Sequence, residues 1–112
     1  MFDLTNKIAL VTGSARRIGR AMAMDLAAHG FKVAIHASSS VREAEKTASD
    51  IREKGGTAAV FVADLTDIEQ IRRLHAEVSD ELGSPDLIVN NASVFKSDSA
   101  RKFDADLFDL HF

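Results

Sequence analysis

The stretch Thr12-Gly13-Ser14-Ala15-Arg16-Arg17-Ile18-Gly19 joins an apolar run to a segment of helical spacing. The run, Lys7 to Thr12 (Lys-Ile-Ala-Leu-Val-Thr), reads as a buried strand. Ile18 to His29 reads as a helix carrying Ile18, Met22, Leu26 and the small Ala21, Ala23, Ala27 and Ala28, stopped by Gly30. Where a strand of a parallel sheet turns directly into a helix, unpaired backbone N–H groups and the positive end of the helix dipole converge on one spot. Gly13 permits the tight turn, and Gly19 lets the helix lie close to the sheet. Helix starts favour Asp or Glu, since a cation there opposes the dipole by about 0.3–1 kcal/mol. Arg16 and Arg17 break that preference together, which makes sense if a phosphate occupies the space between them. With Ser14 and Ile18, the stretch is a candidate anion-binding loop.

Outward from this loop the pattern repeats. Phe31 to His36 is a second apolar run, followed by the polar turn Ser38-Ser39-Ser40. Val41 to Lys54 reads as a charged helix ended by Gly55-Gly56, and Ala58 to Ala63 as a third strand. Asp67 is placed to cap a helix with Ile68, Ile71, Leu74, Val78 and Leu82 at helical period. Gly83 and Pro85 close it, and Asp86 to Val89 begins a fourth strand. Residues 91–103 read as a loop and Asp104 as the start of another helix. Such alternation predicts an α/β fold, a Rossmann-type doubly wound parallel sheet with strand order 3-2-1-4.

The chain has 112 residues, the size of one small domain, with 46% apolar and 28% charged residues. A net charge of −3 argues against a nucleic-acid partner, which requires a surplus of basic residues on one face. No run approaches the roughly 18 apolar residues that span a bilayer. Met1-Phe2-Asp3-Leu4 lacks the features of a secretory signal. The absence of cysteine excludes disulfides and thiolate metal sites and fits a reducing, cytoplasmic compartment.

The second strand's end distinguishes between nucleotides. Folds that prefer NAD place a carboxylate about 20 residues past the glycine loop, on the ribose 2′-hydroxyl. Here the place reads His36-Ala37-Ser38-Ser39-Ser40, with no carboxylate before Glu43. A 2′-phosphate would find hydroxyls from the serines, charge from Arg17 and a proton-bearing His36, so NADP(H) is the expected cofactor. Asp64-Leu65 ends the third strand, where a carboxylate can accept from an adenine amino group. Asn90-Asn91-Ala92-Ser93 ends the fourth, its small residues letting backbone approach a flat ring and Asn91 tying the strand end to its neighbour. All four strand ends lie where open α/β sheets bind ligands.

These residues resemble the short-chain dehydrogenase/reductase family. The glycine loop from Thr12-Gly13 to Ile18-Gly19, Asp64-Leu65 and Asn90-Asn91-Ala92 match its N-terminal signatures in order and spacing. The commonest loop has a third glycine where this chain has Arg17. That arginine, with Asn-Asn-Ala-Ser and His36, resembles the pteridine reductase branch, in which the arginine accompanies NADPH. The branch usually has a further arginine soon after the histidine, where this chain has Ser39 and Ser40.

The resemblance implies an oxidoreductase reducing a carbonyl or imine of a small-molecule substrate. It also implies that the 112 residues are the dinucleotide-binding front portion of an enzyme of roughly 250 residues. Family chemistry rests on a Ser, a Tyr and a Lys, with an Asn on the fourth helix; this chain has no Tyr, so no catalytic residue is assigned. A fourth strand left at a sheet edge implies self-association, and a homo-oligomer is expected. The competing reading is a non-catalytic NADP-binding module that needs a partner chain. A flavodoxin-like domain lacks its acids at the first strand end, and a P-loop nucleotidase lacks Gly-Lys-Ser/Thr.

Overall fold

The computed structural model describes residues 6–15 and 17–91. In chain order these form β1 (Ile8–Thr12), α1 (Arg17–Ala28), β2 (Lys32–Ala37), α2 (Val41–Glu53), β3 (Thr57–Val62), α3 (Ile68–Glu81) and β4 (Leu87–Asn90). The four strands pair in the order β3-β2-β1-β4, all parallel. The expected Rossmann-type α/β architecture and strand order are therefore observed. The loop over 91–103 (beyond Asn91) and the helix from Asp104 lie outside the described residues.

Because strand side chains alternate, each strand feeds two cores. Ile8, Leu10, Ala34, Ala59, Phe61 and Ile88 pack with Ile71, Leu74 and Val78 of α3. Val11, Val33, Ile35, Ala58 and Val89 pack on the other face with Ala23 of α1 and Ala44, Ala48 and Ile51 of α2. The sheet is covered on both sides, which is why β1 and β2 are apolar almost throughout.

Two helix-face assignments need correction. Ile18 and Ile68 fit the helical period but stand 69% and 47% exposed. Both occupy first turns, next to the loops that join the helices to the sheet, and neither belongs to either core. The Asp67 cap forms as expected, its carboxylate accepting from the Glu69 N–H at 3.0 Å. At the opposite end of the sheet Asp86 accepts from the Ile8 N–H at 2.9 Å and donates its own N–H to the Ile8 carbonyl at 2.7 Å. That reciprocal pair fixes where β4 sits beside β1 and so brings Asn90 and Asn91 level with Thr12.

Candidate functional site

The turn after β1 is held by bonds that reach it from three other elements. Gly13 has φ +63°, the left-handed region that a glycine enters without a steric penalty. Its N–H donates to His36 Nδ1 at 2.9 Å, and its carbonyl accepts from Asn91 Nδ2 at 3.2 Å. Ser14 donates its N–H to the His36 carbonyl at 3.0 Å and its hydroxyl to the Val11 carbonyl at 2.6 Å. The same hydroxyl accepts the His36 N–H at 3.0 Å. The Ala15 carbonyl accepts from Thr47 Oγ1 on α2 at 2.8 Å. Gly19 has no room for a side chain: an added Cβ would collide with the Gly13 carbonyl oxygen and lie 2.6 Å from Asn91 Nδ2.

Arg17 opens α1 with φ +59°, a left-handed conformation that costs a residue with a side chain about 1 kcal/mol. This backbone requirement explains why the commonest form of the loop carries glycine there. Arg17 is exposed and makes no ion pair among the described residues. The N–H groups that open α1, from Arg17, Ile18 and Gly19, have no acceptor one turn back within the helix. Ser38 and Ser39 are exposed at the end of β2. Ser40 stands at the N-cap of α2, but its side chain makes no capping bond.

Three sequence-based assignments change. His36 cannot offer charge to a phosphate: it is 1% exposed, Nδ1 faces the Gly13 N–H, and Nε2 lies 2.9 Å from the Ala63 carbonyl. That arrangement needs a neutral ring with its proton on Nε2. Burial lowers the imidazole pKa below 6.5, against a smaller opposing pull from the Ala63 carbonyl. Ser14 is fully buried and spends its hydroxyl on Val11 and His36, so it shapes the loop from inside. Leu65 is 1% exposed and belongs to the α3-side core.

Asp64 does stand exposed at the rim. Its Oδ1 accepts the Thr66 hydroxyl at 2.7 Å and the Thr66 N–H at 2.9 Å, and these bonds lower its pKa below the ordinary 3.8. Asn91 performs the tie read from the sequence, also donating its N–H to Thr12 Oγ1 at 2.9 Å. Arg16, Ala92 and Ser93 lie outside the described residues. Among the described residues no cluster of His, Asp and Glu could hold a metal ion, and no helix is long and apolar enough to cross a membrane.

Thr47, Arg20 and Asp50 were not singled out from the sequence. Thr47 binds the Ala15 carbonyl and accepts from Arg20 Nη1 at 3.1 Å, while Arg20 Nη2 pairs with Asp50 at 2.5 Å. A signal existed: Ala44, Thr47, Ala48 and Ile51 are the buried residues of α2, at i, i+3, i+4 and i+7. A hydroxyl on that stripe must find a partner across the helix interface.

The family described as short chain dehydrogenase matches residues 7–112. The chain belongs to that family. Among short-chain dehydrogenases it is similar to a 3-oxoacyl-[acyl-carrier-protein] reductase of Staphylococcus aureus, 38% identical over 88 residues, which cover 79% of this chain and 36% of the relative. It is also similar to the trihydroxynaphthalene reductase of Colletotrichum orbiculare, 34% identical over 110 residues, 98% of this chain and 39% of the relative. The chain thus spans about two-fifths or less of the length of these curated relatives. Among solved structures, the FolM alternative dihydrofolate reductase 1 of Brucella canis, complexed with NADP, is 48% identical with TM-score 0.76, over 85% of this chain and 37% of that one. A dehydrogenase/reductase from Sinorhizobium meliloti gives TM-score 0.79 at 37% identity, over 85% and 38% of the two chains. For this short-chain dehydrogenase the C-terminal rim of the sheet, with its glycine loop, is therefore the candidate nucleotide site.

Proposed function

We propose that residues 6–91 form the nucleotide-binding part of an NADP(H)-dependent oxidoreductase that reduces a carbonyl or imine. The observation that carries the cofactor preference is the end of β2. It presents exposed Ser38 and Ser39 and the uncapped start of α2, with no carboxylate before Glu43 to repel a 2′-phosphate. The exposed Arg17 supplies charge on the glycine-loop side. Beside Ala15 an open cleft of about 310 Å³ is lined by Arg20, Arg42, Glu43 and Lys46, of which Arg20 and Lys46 are paired with Asp50.

These residues fit a phosphorylated dinucleotide. The N–H groups that open α1 would hold its diphosphate, Arg17, Ser38, Ser39 and Ser40 its 2′-phosphate, and Asp64 its adenine edge. When bound, the nicotinamide supplies a hydride to the substrate. The chain's own contribution is to fix the loop in shape beforehand, so that binding spends little energy on ordering it. Similarity to an NADP-complexed alternative dihydrofolate reductase supports a reduced-pterin C=N bond as the substrate, ahead of an oxoacyl carbonyl.

Fluorescence titration of the natural full-length protein tests the cofactor reading. NADPH is expected to bind about ten-fold or more tightly than NADH, the worth of one or two charge-assisted bonds, and Arg17→Glu to abolish the difference. Equal affinities in the unmutated protein would overturn it. Turnover of dihydropterins against 3-oxoacyl thioesters then decides the substrate class.

A further inference from the structure

His36 makes four hydrogen bonds, and together they join three strand ends. Its backbone N–H and carbonyl bond Ser14, its Nδ1 accepts from Gly13, and its Nε2–H donates to Ala63, the residue before Asp64. The N–H groups of Gly13 and Ser14 are consequently both consumed inside the protein. They are unavailable to a ligand, and the diphosphate must be held by groups further along the loop. Only a neutral ring with one defined tautomer satisfies both side-chain bonds, since a proton on Nδ1 would oppose the Gly13 N–H. The ring is 1% exposed, so no water replaces either partner.

We infer that His36 is a positioning residue for the nucleotide, which it never touches: through Nδ1 it sets the Gly13 turn ahead of the N–H groups that would hold the diphosphate, while its Nε2–H bond to the Ala63 carbonyl fixes the ring and its tautomer. The inference rests on the nucleotide reading above and adds to it a residue whose role is separate from phosphate contact. Asn is the informative replacement, because its Oδ1 stands where Nδ1 does and can accept from Gly13, while its amide is too short to reach Ala63. Phe fills the space and provides neither bond.

The test uses the natural full-length protein. Long-range ¹⁵N–¹H NMR of the His36 ring is expected to show the proton on Nε2 and a bare Nδ1. His36→Phe is expected to weaken NADPH binding about ten-fold, the worth of an unsatisfied buried donor, with His36→Asn recovering most of it. Binding of 2′-AMP, which carries no diphosphate, is expected to change less than three-fold in both variants, whereas general loosening of the fold would weaken both ligands alike. A folded His36→Phe protein that binds NADPH like the parent overturns the inference. So does a protonated Nδ1, or equal losses for the two ligands. If His36→Phe does not fold, the tautomer and the NADPH-to-2′-AMP ratio of His36→Asn decide the matter. Failure of the unmutated protein to bind either dinucleotide would sink the nucleotide reading, while the ring's proton position would still be judged from its own spectrum.

Discussion

At the β1–α1 turn the backbone of Gly13, Ser14 and Ala15 is bonded by His36, Thr47 and Asn91, residues 22 to 78 positions away. At the β3–α3 turn, on the same rim, Ala63 is bonded by Ala37 and His36 of β2, but from Asp64 onward the side-chain bonds are local. Thr66 bonds Asp64, Gln70 accepts the Asp64 N–H at 2.8 Å, and Asp67 caps Glu69. The first turn is mostly buried and depends on the whole sheet being assembled. The second buries Ala63 and Leu65 but exposes Asp64, Thr66 and Asp67, whose bonds to one another and to the start of α3 need only the neighbouring residues. Two turns of the same topology thus differ in what they can do. The glycine turn can hold a shape that its own residues would not adopt, including φ +59° at Arg17, because distant partners over-determine it. The Asp64 turn holds only what its sequence already prefers.

Substitutions should break this contrast unequally. The largest effect is expected from Gly19→Ala, which forces a methyl against the Gly13 carbonyl and Asn91; a loss of about 3 kcal/mol or more in urea unfolding is expected. Thr47→Val keeps the shape of the side chain and leaves the Ala15 carbonyl without its donor, for about 1–3 kcal/mol. Arg17→Gly sharpens the comparison by splitting two readouts. Removing the side chain from a left-handed position raises the melting temperature, by about 1 kcal/mol of stability, while NADPH affinity falls. Thr66→Val at the local turn is expected to stay within the scatter of ordinary surface substitutions.

Acid should separate the turns as well. The folded pKa of His36 lies below 6.5, so under that pH the unfolded chain binds the extra proton. Stability is then full above pH 6.5 and declines as pH falls from there toward the folded value. Asp64 also has a lowered pKa, but its contribution persists until pH falls below 3.8 and is lost through its folded value. Urea unfolding between pH 7 and 5 is expected to show the first decline, and His36→Asn to flatten it.

The strand order and most of the helix faces were legible because they follow from period and alternation, which one chain displays by itself. Asp67 and Asn91 were legible for a related reason: a cap and a strand-end amide act close to where they stand. His36 was misread because β2 runs one residue further than the apolar run, to Ala37. The imidazole is therefore inside the strand, opposite Phe61 of β3, and not on the rim. Its partners, Gly13 and Ala63, become neighbours only through parallel pairing. Ser14 was misread likewise, since nothing in a hydroxyl's spelling tells whether it faces a ligand or the carbonyl of Val11. Ile18 and Ile68 keep the helical rhythm in first turns that belong to neither core.

The pairing of β1 with β4 sets a schedule for the growing polypeptide. By the time β2 has left the ribosome, Gly13 can meet His36, yet Asn91 and Asn90 are still to be translated. The loop's carbonyl side stays unlatched until β4 arrives beside Thr12, and that closure spans nearly eighty residues of chain. The corner that would grip a nucleotide therefore closes on its carbonyl side only once β4 has been made, and in any shorter nascent chain Gly13 lacks its bond from Asn91.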